Sequence, residues 1–336
     1  MRVFQVEGGW SRANLRLAER PEPEPGPGEV RLKMHAAALN YRDLLVPEKG
    51  YGARMKALPL IMLSDGVGTV DKLGPGVTGP AVGTRVCPLM NQSWLAGEPD
   101  DDKLALTLGS ELDGTMADYM VVAAAGVVPV PEHLSDAEAA TLPTAAITAW
   151  RALISEGRLR PGERVLVQGT GGVSLFALLF AKLAGAFVIV ISSSDEKLER
   201  VRGLGADATL NYRETPEWGR PVRALAGGGV DHVVEVGGQG TLPQSLRAVG
   251  GGGTISLIGV LAGGTMDARL GLIVTRHVRL QGITVGSGDD FRAMVRAIGH
   301  SRLNPPIDSE FAFENLHAAL DHLASGRHFG KIVIRF

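Results

Sequence analysis

The chain has 336 residues, with 34 lysines and arginines against 36 aspartates and glutamates, eight histidines and one cysteine. That length predicts two domains, each able to bury its own core, and the near-neutral charge excludes a generally basic nucleic-acid surface. The single Cys87 excludes an intramolecular disulfide and any zinc site built from several thiolates, and it fits a reducing compartment.

Residues Met1–Glu7 alternate as a strand does and lack the apolar core of a signal peptide. No run of 18 apolar residues follows, since the segment from Val173 to Ile191 is interrupted by Lys182 and Gly185. A cytoplasmic protein with no membrane partner is expected. The run Pro21–Glu29 is too rich in proline for a helix or a central strand and reads as a stiff connection. Val30–Ala36 alternates cleanly, and Val67–Leu73 and Thr84–Leu89 are further short strands. Residues 1 to about 125 thus read as β structure with glycine-rich turns, in keeping with 45 glycines in the chain.

From residue 136 the texture changes. Ser135-Asp136-Ala137-Glu138 opens a helix with acidic residues in its first turn, running to Leu153. Strands and helices then alternate. Arg164–Val167, Phe187–Ile191, Ala208–Tyr212, His232–Val236, Thr254–Val260 and Val278–Val285 are strands, and Val173–Leu183 and Asp195–Leu204 are helices. This order implies a doubly wound parallel sheet, an α/β fold. From Asp290 the pattern is helix, short strand, helix (Glu314–Ser325) and the terminal strand Lys331–Arg335.

After the strand Arg164–Val167 comes Gly169-Thr170-Gly171-Gly172-Val173-Ser174, which opens a helix. A strand, a glycine-rich turn and a helix place backbone N–H groups and a positive helix end where a pyrophosphate sits. Ser174 replaces the third glycine of that pattern and is still small. The next strand ends in Ser192-Ser193-Ser194, with Asp195 displaced into the following helix and Lys197 beyond it. Hydroxyls and an ammonium suit a 2′-phosphate, and no carboxylate sits at the strand end to hold a free 2′-hydroxyl, so NADPH is expected over NADH. One of the serines also caps the helix.

With Ala38-Leu39-Asn40-Tyr41-Arg42-Asp43, Ser64-Asp65-Gly66-Val67-Gly68, Ala139-Ala140-Thr141-Leu142-Pro143, the glycine turn, Asn211-Tyr212-Arg213 and Gly330-Lys331-Ile332-Val333, the whole chain resembles the medium-chain dehydrogenase/reductase superfamily in its zinc-lacking, quinone-oxidoreductase-like branch. The resemblance implies a GroES-like β domain (1–125 and 290–336) carrying substrate and a Rossmann domain (126–289) carrying the cofactor. At the positions of the zinc ligands of related alcohol dehydrogenases stand Asn40, Ser64 and Thr144, with Asp65 at the carboxylate position; these are poor zinc ligands, so no zinc is expected.

By the same resemblance Asn40 lies near the nicotinamide as a hydrogen-bond donor, Tyr41 supplies a proton or orients substrate, and Asp65 lines the pocket. Thr148 holds the carboxamide, Lys197 and Tyr212 meet the 2′-phosphate, and Gly237, Ile258 and Lys331 complete the cofactor site. Arg42 and Asp43 read instead as a local ion pair that fixes a loop, and Cys87 as buried packing. The expected activity is metal-independent hydride transfer from NADPH to a carbonyl, enone or quinone. An alcohol dehydrogenase and a non-catalytic NADPH-binding protein are the alternatives. The segment 278–286, a poorly protected edge strand, is expected to pair across a two-fold axis in a homodimer.

Overall fold

Short apolar stretches broken by glycine and proline form eight strands before residue 130 in the computed structural model, which describes residues 1–265 and 270–336. They are β1 (Arg2–Val6), β2 (Leu15–Glu19), β3 (Glu29–Ala38), β4 (Leu60–Ile61), β5 (Asp65–Leu73), β6 (Arg85–Pro88), β7 (Tyr119–Ala123) and β8 (Val127–Pro129). Six follow after residue 160: β9 (Arg164–Gln168), β10 (Phe187–Ser192), β11 (Ala208–Asn211), β12 (Val230–Glu235), β13 (Val249–Leu257) and β14 (Arg279–Gly282). The chain ends with β15 (Ile307–Ala312) and β16 (Lys331–Arg335). Two compact units result, Met1–Ile147 with Val285–Phe336, and Thr148–Thr284.

The first unit is β-rich. Its larger sheet runs β15-β16-β3-β5-β6-β8, with β7 also paired to β3. Register decides what meets at one end of that sheet. Ala38, the last residue of β3, pairs with Val333 of β16 on one side and with Asp65 of β5 on the other. The Leu39 N–H continues the ladder to the Ile332 carbonyl at 2.9 Å. The residues just beyond β3, the start of β5 and the start of β16 therefore share one sheet end. A core of Val3, Phe4, Leu60, Met62, Met116, Phe313, Leu316, Leu320 and Ile332 packs the chain's first strand against its last helix. Cys87 is buried in β6, its Sγ donating to the Ala139 carbonyl, and burial pushes the thiol pKa up.

The second unit is a six-stranded parallel sheet in the order β11-β10-β9-β12-β13-β14. Strand order reverses between β9 and β12, and in such sheets the crevice at the carboxyl ends beside that reversal is the ligand site. Helices Gly172–Leu183 and Asp195–Gly203 pack on β9, β10 and β11, and Leu242–Ala248 packs on β12 and β13. The α/β fold expected from the alternation of elements is the fold found.

Two boundaries differ from the sequence reading. Residues 126–147, expected with the cofactor domain, belong to the first unit, because β8 pairs with β6 and the helix Asp136–Ala140 packs on β3 and β5. At the far side the second unit ends at Thr284 rather than 289. The edge strand is also shorter than expected. Only Arg279–Gly282 pairs as β14, and Val285 already belongs to the first unit.

Candidate functional site

At the sheet end defined by β3, β5 and β16, the ammonium of Lys331 is enclosed, the residue being only 3% exposed. Its Nζ donates to the Leu39 carbonyl and to Asn40 Oδ1, both at 2.6 Å, and to Asp65 Oδ2 at 3.4 Å. Asp65 is fully buried, and its Oδ1 accepts from Thr144 Oγ1 at 2.5 Å. Burial lowers the Lys331 pKa, and the neighbouring Asp65 and Asp43 carboxyls oppose that fall. Taking an ion out of water costs several kcal/mol, which only close partners offset; here a carbonyl, an amide oxygen and a carboxylate do so.

Asn40 stands between this charge and Asp43. Its backbone N–H donates to Asp43 Oδ2 at 2.7 Å, closing a turn that starts the helix Arg42–Leu45. Its side-chain oxygen faces Lys331, and its Nδ2 is buried with no partner. Asp43 Oδ1 and Ser64 Oγ are buried and unpartnered as well. An unpaired buried polar group costs ~1–3 kcal/mol, so three of them around one sheet end mark a place kept for something other than stability. Burial pushes the Asp43 carboxyl up to about 6, against the pull of Arg42 and the Asn40 N–H.

Arg42 does not form the expected ion pair with Asp43. Its guanidinium donates to the Leu108 carbonyl at 2.9 Å and to Ser110 Oγ at 3.2 Å, under the ring of Tyr51. It does fix a loop, but a remote one: residues 108–110 offer a carbonyl and a hydroxyl within its reach. Tyr41 immediately precedes the same helix without capping it through its side chain, and is 49% exposed. Thr144 lies in a π-helical stretch, Leu142–Ala146, one of two that flank the helix Ile147–Trp150; such widened turns recur at functional sites.

In the second unit the glycine turn leaves β9 at Gly169, whose φ of +73° favours glycine. Gly169 N–H donates to the Ile191 carbonyl at 2.7 Å, and Ser174 Oγ donates to the Gln168 carbonyl at 2.6 Å, so the small third residue ties the helix to the strand. The helix Gly172–Leu183 starts at Gly171 with no side chain capping it. Thr170, Gly172 and Val173 complete the turn, giving the strand–turn–helix arrangement expected of a pyrophosphate site. At the end of β10, Ser192 is buried, Ser193 is half-buried, and Ser194 caps the next helix, accepting from Lys197 N–H at 3.3 Å. Asp195 is held by Asn211 Nδ2 at 2.9 Å. Tyr212 is partly exposed, its N–H on the Ser192 carbonyl at 3.0 Å, which sets it beside the serine run.

A residue the sequence reading passed over organises the other side of the strand reversal. Glu235, fully buried at the end of β12, accepts from Gln168 Nε2 at 2.7 Å and from Ser245 Oγ at 2.5 Å. It also accepts from Gly237 N–H at 2.9 Å, Gly238 N–H at 3.1 Å and Thr241 Oγ1. It thereby joins β9 to β12 and shapes the turn holding Gly237, while Ile258 N–H takes its backbone carbonyl at 2.9 Å. A lone acid closing the apolar run Val233-Val234 was the available signal. Thr148 Oγ1 donates to the Thr284 carbonyl at 2.7 Å, tying the first residue of this unit to its last. The structure thus gathers Asn40, Asp65 and Lys331 in the first unit, and the glycine turn, the serines, Lys197, Tyr212, Gly237 and Ile258 in the second. Lys331, expected at the cofactor, has its donors engaged within the first unit.

Two family models match the chain: an alcohol dehydrogenase GroES-like domain over residues 26–132 and a zinc-binding dehydrogenase domain over residues 172–299. A zinc-type alcohol dehydrogenase-like protein of Schizosaccharomyces pombe is 43% identical over 91% of this chain and 90% of its own. The crystal structure of an NAD-dependent alcohol dehydrogenase superposes with a TM-score of 0.90 at 33% identity, covering all of both chains. An acryloyl-coenzyme A reductase of Sulfurisphaera tokodaii is 29% identical over the full length of both. The chain belongs to the medium-chain dehydrogenase/reductase superfamily. It is an NAD(P)H-dependent oxidoreductase.

The raised Asp43 pKa predicts a pH signature. Below the ordinary carboxylate range of ~4 the group is protonated folded or unfolded and contributes nothing. Between there and about 6 the folded state holds a proton the unfolded state has released, so stability falls as pH rises through that window. Asp43→Asn removes this term. Denaturant unfolding should show the variant more stable than the parent at pH 7.5, by on the order of 2–3 kcal/mol, and no more stable at pH 4.

Proposed function

We propose that the protein is a metal-independent, NADPH-dependent reductase, passing hydride from the nicotinamide to a carbonyl carbon, to the β-carbon of an α,β-unsaturated carbonyl, or to a quinone. The observation that carries the reading is the Asn40 side chain, whose oxygen is taken by Lys331 and whose Nδ2 has no partner. A buried amide N–H donor suits the oxygen of a substrate, which gains negative charge as hydride arrives; a preorganised donor stabilises that charge without reorganising. The remaining work is positioning, and the proton comes from Tyr41 or water.

The donor set argues against zinc. Asn40 Oδ1, one of three side chains at the ligand positions, lies 2.6 Å from an ammonium, and Thr144 Oγ1 donates to Asp65. Amide and hydroxyl oxygens so engaged are poor partners for a cation that prefers thiolate and imidazole. The same site run backwards would oxidise an alcohol, the activity in the name of one similar structure, but its amide and hydroxyl donors suit no zinc ion that would acidify the hydroxyl.

NADPH is favoured by Ser192, Ser193 and Lys197, and by an Asp195 whose carboxylate is engaged by Asn211. A homodimer through 278–286 is favoured by the edge position of β14 and by the exposed Leu270 and Val274 of the helix preceding it. Light scattering should return about twice the 35.4 kDa of one chain; a monomer mass at micromolar concentration removes the dimer.

Two measurements test the chemistry. Metal-free protein should reduce members of a panel of enones, quinones and aldehydes, and should survive a chelator; a stoichiometric zinc on which turnover depends would overturn the reading. Lys197→Ala should weaken NADPH binding about tenfold and leave NADH within about twofold, as loss of a charge-assisted phosphate contact does. Equal weakening of both cofactors would place Lys197 away from the 2′-phosphate.

A further inference from the structure

We propose that Lys331 is a positioning residue for the reduction, fixing the orientation of the Asn40 amide rather than binding the cofactor. The inference rests on the proposed role of Asn40 as a donor to the substrate oxygen. A side-chain amide can present either its oxygen or its N–H₂ to a ligand, and nothing in its shape decides which. Here the chemistry of the neighbour decides. An ammonium has three donors and no acceptor, so only the amide oxygen can face it at 2.6 Å. The flipped amide would set N–H₂ against the ammonium and leave two donors in conflict.

The rest of the pocket holds Lys331 in place for this task. The Leu39 carbonyl at 2.6 Å takes a second donor, and Asp65 Oδ2 at 3.4 Å neutralises the charge. Asp65 is itself kept by Thr144 Oγ1 and, through its backbone carbonyl, by Thr115 Oγ1 at 2.8 Å. Asp43 anchors the other end of Asn40 through its backbone N–H at 2.7 Å. Both ends of the residue are thus fixed while Nδ2 alone remains unpartnered. Hydrogen bonds to the Leu39 carbonyl, Asn40 and Asp65 account for three donors of Nζ, which leaves none for a phosphate.

A double-mutant cycle on the full-length protein tests this. Asn40→Ala should lower kcat about 30-fold or more. Lys331→Met should lower kcat at least about tenfold, with the dissociation constant for NADPH, from a binding titration, within about threefold of the parent. In the Asn40→Ala background Lys331→Met should then cost less than about threefold, because the group it orients is gone. Full additivity would reduce Lys331 to a structural role, and a large loss of NADPH affinity at unchanged kcat would return it to the cofactor; either overturns the proposal. An Asn40→Ala variant with unchanged kcat removes the role of Asn40 itself and, with it, that of Lys331.

Should Lys331→Met not fold, Lys331→Arg and Lys331→Gln make the same comparison. Arginine carries only donors and keeps Asn40 oriented, whereas glutamine can accept from the amide and lets it turn over. The arginine variant should be at least about fivefold faster than the glutamine variant, and equal rates would overturn the inference.

Discussion

One buried positive charge governs the first unit. Lys331 lies at the start of the last strand, and the groups that tolerate its ammonium lie more than 260 positions earlier, in Leu39, Asn40 and Asp65. Breaking such a buried pair by removing one partner costs on the order of 3–5 kcal/mol, so the chain's last segment and its early strands are held to one another by more than apolar packing. The pairing of Val333 with Ala38 and of Ala38 with Asp65 sets the register that makes the contact possible. A slip of one residue at either ladder would turn these side chains to the opposite face. Returning the chain to its first unit after Thr284 is thus part of building the site, since β16 carries the charge that the β3 end cannot supply.

The second unit buries a charge of the opposite sign by other means. Among the described residues no cation pairs with Glu235; two backbone N–H groups, two hydroxyls and the Gln168 amide share its charge. Hydrogen bonds to a carboxylate are stronger than neutral ones; the one from Gln168 ties the end of β9 to that of β12 where strand order reverses, and the other four fix the turn and helix that follow β12. The consequence is local rigidity on both sides of the expected dinucleotide crevice: Gln168 precedes the glycine turn, and Gly237–Thr241 forms the opposing loop. The donors share the Glu235 charge without cancelling it, and the uncapped start of the helix Gly172–Leu183 is the positive feature that a pyrophosphate would meet.

Much of this was readable in the sequence, and the limits have physical reasons. The parallel sheet follows from alternating elements, because each apolar run of five or six residues is too short for a helix and too uniform for a half-exposed strand. The glycine turn follows from the one backbone conformation Gly169 needs. The boundary at residue 147 was not readable: the helix opened by Ser135 looks like the start of a new domain, and only the packing of Asp136–Ala140 on β3 and β5 shows where it belongs. Arg42 and Asp43 are adjacent in sequence and suggest each other, yet successive residues of a helix point apart, and each finds its partner elsewhere. Lys331 and Glu235 were missed as organisers for a shared reason. Their roles depend on partners brought together by register and strand order, and a lone charge in an apolar run carries no mark of which partner that will be.

The charges around Asn40 also bear on direction. Under the proposed reading the amide stabilises an oxygen that becomes negative only as hydride arrives, and it does so as a neutral donor. For the reverse reaction an alcohol must lose its proton before or as hydride leaves, and a neutral amide lowers an alcohol's pKa far less than a metal ion does. The carboxyls nearby do not make up the difference. Asp65 is occupied by Lys331 and Thr144. Asp43 is fully buried, and one of its oxygens holds the Asn40 N–H. In reduction the proton is needed after the oxygen or its enolate has gained charge, when the product is basic enough to take one from Tyr41, which is half-exposed, or from water. Under that reading, a neutral donor backed by the Lys331 ammonium favours receiving hydride on a substrate over removing it.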